Sequence, residues 1–143
     1  MKPSLRAGLE HRLRYRVPAD KTVPFLLPEA GEFRQMPQVL ATGYLIGLLE
    51  WACMKVVHPH LDADETTVGT RIDASHCAAT APGMEVELHA RLIDVDGRRL
   101  VFEVQAHDGV DRISSGTHQR HVVSRPAFAA RAHRKAVAHA SEP

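Results

Sequence analysis

Cysteines are scarce in this sequence and long apolar runs are missing, and both shortages narrow the class of protein. The two cysteines, Cys53 and Cys77, lack the paired spacing of a secreted disulfide scaffold or a zinc site. No stretch approaches the ~20 apolar residues that cross a bilayer. The first residues include an acid and have no apolar segment typical of a secretory signal. We therefore expect a cytoplasmic protein with reduced thiols and no membrane partner.

An excess of charge of one sign is also missing. Lys and Arg number 18 and Asp and Glu number 17, so the formal net charge is +1. A chain this close to neutrality has no global field that attracts a polyanion, and we expect no nucleic-acid partner. Its 143 residues, 44% of them hydrophobic, are enough for one domain with a buried core.

Alternating apolar and polar residues predict an antiparallel sheet. Residues 84–95 and 98–106 each alternate with a period of two, and Asp96-Gly97 and Asp108-Gly109 follow them as hairpin signals. Residues 9–17 are predicted to form a first strand, and residues 66–80 are β-rich. Together these patterns predict one early strand followed, later in the chain, by a meander of about four antiparallel strands. The positions expected to face inward are Val86, Leu88, Ala90, Leu92, Leu100, Phe102, Val104 and Ala106.

Between the first strand and the meander lies an apolar helix, predicted over 39–57 and ended by Pro59. Such a helix needs cover on most sides, which a curling antiparallel sheet provides. The predicted fold class is therefore α+β, a hotdog fold in which an antiparallel sheet wraps around one long central helix. The open sheet edge favours a homodimer. We place this domain at 1–125, followed by a C-terminal helix and disordered tail over 126–143.

The stretch "ATGYLIGLLEWAC" (41–53) contains an unexpected acid, Glu50, with no basic residue within four positions. The simplest explanation is a carboxylate at the edge of the apolar face with its head in water. A buried carboxylate would instead need donors or a chemical purpose. Thr42 at the helix start and His76 in "RIDASHCAAT" are further polar groups among apolar ones, and a carboxylate near a histidine can act as a base or nucleophile.

Other features carry weaker signals. His76 is one of ten histidines, and spacing alone does not bring it to Glu50. His58 and His60 flank Pro59 at a helix end, where a capping role suffices and no carboxylate or cysteine completes a metal site. We expect no metal and no cofactor. Gly69 lies inside a predicted strand, which marks a bulge or a close approach of other atoms to the backbone.

Four stretches together resemble the fluoroacetyl-CoA thioesterase family of hotdog proteins, over roughly residues 5–125. They are "ATGYLIGLLEWAC", "GTRIDASHCAATAPG", "GRRL" and "AHDGVDRISSGTHQR". The resemblance implies a homodimer that hydrolyses an acyl-CoA substrate with a Thr, Glu, His triad. It implies that Thr42, Glu50 and His76 hold those places, that Gly69 offers a backbone N–H to the thioester oxygen, and that Arg120 positions the triad or binds substrate.

The loop over 24–38 holds three prolines and is predicted to be irregular, with a short helical turn around 29–35. The resemblance implies that this loop is a lid over the acyl group. Phe33 matches the family, whereas Met36 stands where the specialised member has a second phenylalanine. Because methionine is flexible, we expect a lid that closes less selectively.

Two other functions fit the same residues. A hotdog acyl-CoA hydratase or dehydratase also pairs an acid with a histidine but releases no thiol. A non-catalytic acyl-CoA-binding protein would lack a competent triad and would normally carry a separate DNA-binding segment, for which we expect no room. An assay for free thiol over a panel of acyl-CoA esters separates the three classes.

Overall fold

The computed structural model describes residues 1–141, and the last two residues lie outside it. Five strands form one antiparallel sheet in the order β1-β3-β4-β5-β2. The elements are β1 Glu10–Arg16, α1 Gly31–Arg34, α2 Thr42–Val57, β2 Glu65–Ala74, β3 Glu85–Asp96, β4 Arg99–His107, β5 Arg112–Ser124 and α3 Arg125–Ala140.

The two predicted hairpins are confirmed. Strand β3 turns into β4 after Asp96, where Gly97 takes a φ of +58°, and β4 turns into β5 through a loop in which Gly109 has a φ of +90°. Glycine adopts these left-handed values without steric cost, so the turns form where the Asp-Gly pairs stand. All eight positions predicted to face inward are buried, which confirms the register of β3 and β4.

Strand β2 does not lie beside β3, its successor in the sequence. It crosses to the far edge of the sheet and pairs with β5, whereas β1 pairs with β3 at the opposite edge. The prediction of a simple meander from residue 66 is therefore wrong for β2. The crossing has a functional consequence, because it brings Gly69 next to Arg120 in the ladder.

Helix α2 lies across β1, β3 and β4 and starts at Thr42, three residues later than predicted. Its buried side points to the sheet through Leu45, Leu49, Ala52, Cys53, Val56 and Val57. Its outer side keeps Trp51 and Met54 exposed, at 42% and 39%. The sheet therefore covers one side of this helix, rather than most of its circumference.

Helix α3 follows β5 directly and begins at a capped terminus, where the hydroxyl of Ser124 accepts a hydrogen bond from the amide of Ala127. It remains helical as far as Ala140, and no residue in it is buried. The predicted disordered tail thus falls on the two residues outside the described part, and the domain boundary at 125 stays a prediction. None of the described helices is long and apolar enough to cross a membrane.

Gly116 on β5 lies so close to the backbone of β2 that there is no space for a side chain. A Cβ built on it would be 2.0 Å from the carbonyl oxygen of Asp73 and 2.6 Å from Cα of Ala74. Because backbone atoms of β2 would have to move, we expect Gly116→Ala to lower the free energy of unfolding by at least ~1–3 kcal/mol in urea denaturation.

The matched control is Gly31→Ala, because a Cβ at Gly31 would meet only the end of the flexible Arg34 side chain, at 3.6 Å. That variant should change stability by no more than ~0.5 kcal/mol. Equal stability of the two variants would contradict the close β2–β5 contact.

Candidate active site

The start of α2 carries a hydrogen-bonded pair of side chains. Oγ1 of Thr42 and Nδ1 of His76 are 2.7 Å apart, although 34 residues separate them in the sequence. Within residues 1–141, Nε2 of His76 is buried without a hydrogen-bond partner. Partial burial lowers the pKa of His76, because removal from water disfavours the imidazolium. The pair therefore presents a neutral imidazole whose second nitrogen is free to take part in proton transfer.

His76 lies two residues beyond β2, so its predicted place inside a strand is wrong. The ladder becomes irregular there, although Cys77 still donates its amide to the carbonyl of Ile113 on β5. Thr80 fixes the end of this segment, because its carbonyl accepts from the amide of Leu40, just before α2, at 2.8 Å. The Thr80 hydroxyl also donates to the buried carboxylate of Asp108 at 2.9 Å. These contacts hold the loop of His76 against the start of the helix.

Two turns further along α2, Glu50 makes an ion pair with Arg120 on β5. Nη1 of Arg120 donates to Oε2 of Glu50 at 2.8 Å. The guanidinium is only 3% exposed and the carboxylate side chain is 39% exposed, so the cation is buried while the acid faces solvent. The placement of Glu50 at the edge of the apolar face agrees with the simplest sequence explanation, but its buried cationic partner does not follow from that explanation.

The rest of the Arg120 guanidinium is bound to its neighbours. Nε donates to the hydroxyl of Thr67 and Nη2 to the carbonyl of Thr67, each at 2.8 Å. Nη1 also lies 3.1 Å from Nε2 of His118, a buried histidine that the sequence analysis did not single out. A sequence signal was available, because His118, Arg120 and buried Val122 alternate on one face of β5. Polar residues at inward positions of a strand indicate a site rather than a core.

Gly69 lies directly against the Glu50 carboxylate. The ladder between β2 and β5 shifts register between Gly69 and Arg71, which makes a bulge at Thr70. A Cβ on Gly69 would lie 3.1 Å from Oε2 of Glu50 and 3.2 Å from Cε1 of His118. Both expectations for this glycine, a bulge and a close approach, are therefore confirmed.

The site residues thus fall into two groups within the chain. Thr42 and His76 form the first group, and Glu50, Gly69 and Arg120 form the second. Thr42 and Glu50 are eight positions apart, which corresponds to about 12 Å along a helix. Among residues 1–141, no hydrogen bond joins the groups, and the Thr42 hydroxyl contacts the histidine rather than the carboxylate.

The predicted lid loop packs on the first turn of α2. It contains the short helix α1, as expected, and Leu26 fills the space beside Gly43, where a Cβ would come within 3.1 Å of its side chain. Phe33 is half-buried and Met36 is 48% exposed. Met36 is therefore free to move, unlike a side chain packed in the core.

Comparisons with known proteins decide the family. The profile of the fluoroacetyl-CoA-specific thioesterase family matches residues 24–126. The fluoroacetyl-CoA thioesterase of Streptantibioticus cattleyicolor is 46% identical over 135 residues, which are 94% of this chain and 97% of that protein. The chain belongs to the fluoroacetyl-CoA-specific thioesterase family. It is therefore a thioester hydrolase with a hotdog fold.

Solved structures agree with this assignment. A fluoroacetyl-CoA-specific thioesterase mutant in complex with fluoroacetate and CoA is 47% identical, with a TM-score of 0.85 over 87% of this chain and 99% of that one. A thioesterase-superfamily protein of Thermus thermophilus is 25% identical, with a TM-score of 0.86 over 98% of this chain and 99% of that one. The same backbone is thus shared with more distant thioesterases.

The contact between Gly69 and Glu50 gives a test of this thioesterase's site. In Gly69→Ala the new methyl group would lie 3.1 Å from Oε2 of Glu50 and 3.2 Å from Cε1 of the buried His118. It would displace the carboxylate, which is the more exposed of the two, by a few tenths of an ångström. We expect kcat for thioester hydrolysis to fall ~10- to 100-fold, with the melting temperature nearly unchanged.

The control for this substitution is Thr70→Ser, which shortens the exposed neighbour in the same bulge, keeps the hydroxyl that donates to the carbonyl of Gln119, and should keep the parental kcat. A Gly69→Ala variant as active as the parent would show that the carboxylate position is not critical.

Proposed function

We propose that this thioesterase hydrolyses fluoroacetyl-CoA and other short acyl-CoA esters to the free acid and CoA, with Glu50, His76 and Thr42 as its catalytic side chains. The observation that carries the proposal is the Glu50 carboxylate, which faces solvent while Arg120 holds it against the backbone of Gly69. The choice of substrate is supported by the 46% identical fluoroacetyl-CoA thioesterase and by the related structure in complex with fluoroacetate and CoA. Cytoplasmic location remains a prediction from the sequence.

Glu50 acts either as a general base that activates water or as the nucleophile that attacks the thioester carbon. As a general base, it takes a proton from water while the water oxygen forms a bond to the thioester carbon. As a nucleophile, its own oxygen forms that bond, and water then hydrolyses the resulting anhydride. In both routes the carbon–sulfur bond breaks and CoA leaves as a thiolate. Arg120 binds Oε2, so the other carboxylate oxygen, Oε1, is the one available to react.

His76 is the proton shuttle. Its Nδ1 is bound to the Thr42 hydroxyl, which fixes the ring and leaves Nε2 to carry the proton between water and the departing thiolate. The pKa of His76 is lowered by burial, which keeps the imidazole neutral and able to accept a proton at neutral pH. In this proposal Thr42 orients the histidine.

Gly69 contributes through its backbone. The tetrahedral intermediate carries a negative oxygen, and a backbone N–H aimed at it is typically worth ~10²–10³ in rate. The absence of a side chain lets a thioester approach this part of β2, where a methyl group would meet Glu50 and His118.

We propose a homodimer because a single subunit keeps the two catalytic groups apart. A two-fold axis that sets two α2 helices antiparallel would bring Thr42 and His76 of one subunit to Glu50 of the partner subunit. Two features favour such pairing: the exposed Trp51 and Met54 on the outer side of α2, and the exposed ladder edge of β2.

Mixing two inactive variants tests this composite site. Glu50→Gln and His76→Ala should each lower kcat by orders of magnitude and leave the fold intact, because one loses the base or nucleophile and the other the proton shuttle. After denaturation and joint refolding, half of the dimers should be mixed, and each mixed dimer would hold one complete site. About one quarter of the parental activity should return.

Each variant refolded alone is the control and should remain inactive. If the mixture also stays inactive while mixed dimers are detected by native mass spectrometry, each site lies within one subunit. If light scattering finds only monomers at micromolar concentration, the dimer itself is excluded.

The identity of residue 36 should set the preference for fluorine. Favouring fluorine over hydrogen needs a tight, dry contact at the α-carbon, which a mobile thioether provides less well than an aromatic ring. We expect Met36→Phe to raise the ratio of kcat/KM for fluoroacetyl-CoA to that for acetyl-CoA. One contact of this size is worth ~1–3 kcal/mol, or about 10- to 200-fold in the ratio.

The control is Gln35→Leu, an exposed neighbour in the same loop that should leave the ratio unchanged. If the parental ratio is already extreme, or Met36→Phe does not alter it, the preference comes from Glu50, His76 and Gly69 and not from the lid.

A further inference from the structure

His118 lies behind the ion pair and is shielded from the solvent. Its side chain is 2% exposed. Nδ1 lies 2.7 Å from the carbonyl oxygen of Arg71, and because a carbonyl can only accept, Nδ1 carries the proton and donates it. The ring stacks on Phe102, with centroids 6.5 Å apart and planes inclined by 30°. These contacts fix both the position and the tautomer of the ring.

The fixed tautomer makes Nε2 of His118 an acceptor. Nη1 of Arg120, 3.1 Å away, donates one proton to it and its second proton to Oε2 of Glu50. The other two hydrogen bonds of the guanidinium go to Thr67. Four of the five N–H groups of the cation thus have partners. Because His118 accepts one of the two Nη1 protons, only the other proton is available to the Glu50 carboxylate.

We propose that His118 is a positioning residue that acts through Arg120: as a neutral imidazole, it limits Arg120 to one hydrogen bond with Glu50 and so leaves the second carboxylate oxygen free to react. This inference rests on the proposed role of Glu50. A protonated His118 would point an N–H at the guanidinium and could not accept from it. Burial and the neighbouring cation keep the pKa of His118 below its ordinary value.

Removal of the acceptor should redirect Arg120. Without His118, two of the five N–H groups of this buried guanidinium would have no partner among the described residues instead of one. A small rotation of Arg120 toward Glu50 would pair one of them, because a carboxylate readily binds arginine through both oxygens. Both oxygens of Glu50 would then be engaged, and the carboxylate would be a weaker base or nucleophile. The expected result is a lower kcat with little change in KM, because substrate contacts are unaltered.

Three substitutions separate this role from a structural one. His118→Leu removes both hydrogen bonds. His118→Gln keeps an acceptor near Arg120, and His118→Asn keeps a donor near the carbonyl of Arg71. We expect kcat for fluoroacetyl-CoA to fall ~10- to 100-fold in the Leu and Asn variants and to be largely restored in the Gln variant. Activity restored by Asn and not by Gln would assign His118 to holding β2 and overturn the proposal.

The control for these variants is His121→Leu, an exposed histidine on the same strand, which should leave kcat unchanged. Melting temperatures identify variants that fail to fold.

A second measurement on the unmodified protein does not depend on hydrolysis. Nitrogen NMR should find His118 with its proton on Nδ1 at pH 7, and a slowly exchanging Arg120 guanidinium. A proton on Nε2, or a charged ring, would refute the inference even if the protein hydrolysed no thioester. An active protein whose His118→Leu variant keeps its kcat would refute the positioning role and leave the thioesterase function standing.

Discussion

The buried guanidinium of Arg120 is the contact on which the site depends. It joins β5, which carries it, to β2 through Thr67 and to α2 through Glu50. Burying an unpaired cation is strongly unfavourable, and these hydrogen bonds offset the cost of removing the guanidinium from water. The geometry that stabilises the charge therefore also sets the direction in which the carboxylate points.

The crossing of β2 to the far edge of the sheet makes this contact possible. Only from that edge can Gly69 lie beside both Arg120 and the helix. The bulge at Thr70 and the close pairing at Gly116 then fix the register of β2 on β5. A one-residue slip would turn the site residues to the other face of the sheet, so the geometry of the candidate site and the strand register are specified by the same few positions.

Much of the fold follows from local sequence. Alternation predicted the buried face of β3 and β4, and the Asp-Gly pairs predicted both hairpins, because these signals act over a few residues. The place of β2 was not predictable in this way, since its partner β5 lies some 50 residues on. The resemblance to a family suggested Glu50 and His76, but neither it nor the spacing revealed that one subunit holds them apart. His118 alternates with Arg120 on β5, which was a usable signal, but its second partner, the carbonyl of Arg71, lies on β2 and could not be inferred from local sequence.

Helix α2 fixes the distance between two residues of the candidate site. It carries Thr42 and Glu50 on one rigid rod, so their separation is set by the number of intervening residues rather than by packing. Inserting one residue between them would advance Glu50 by about 1.5 Å and rotate it by about 100°. The carboxylate would leave Arg120 and Gly69 at once. Side-chain substitutions along this segment would change the candidate site gradually, whereas an insertion or deletion would remove it. The number of residues between Thr42 and Glu50 is therefore as important to the candidate site as the identity of its side chains.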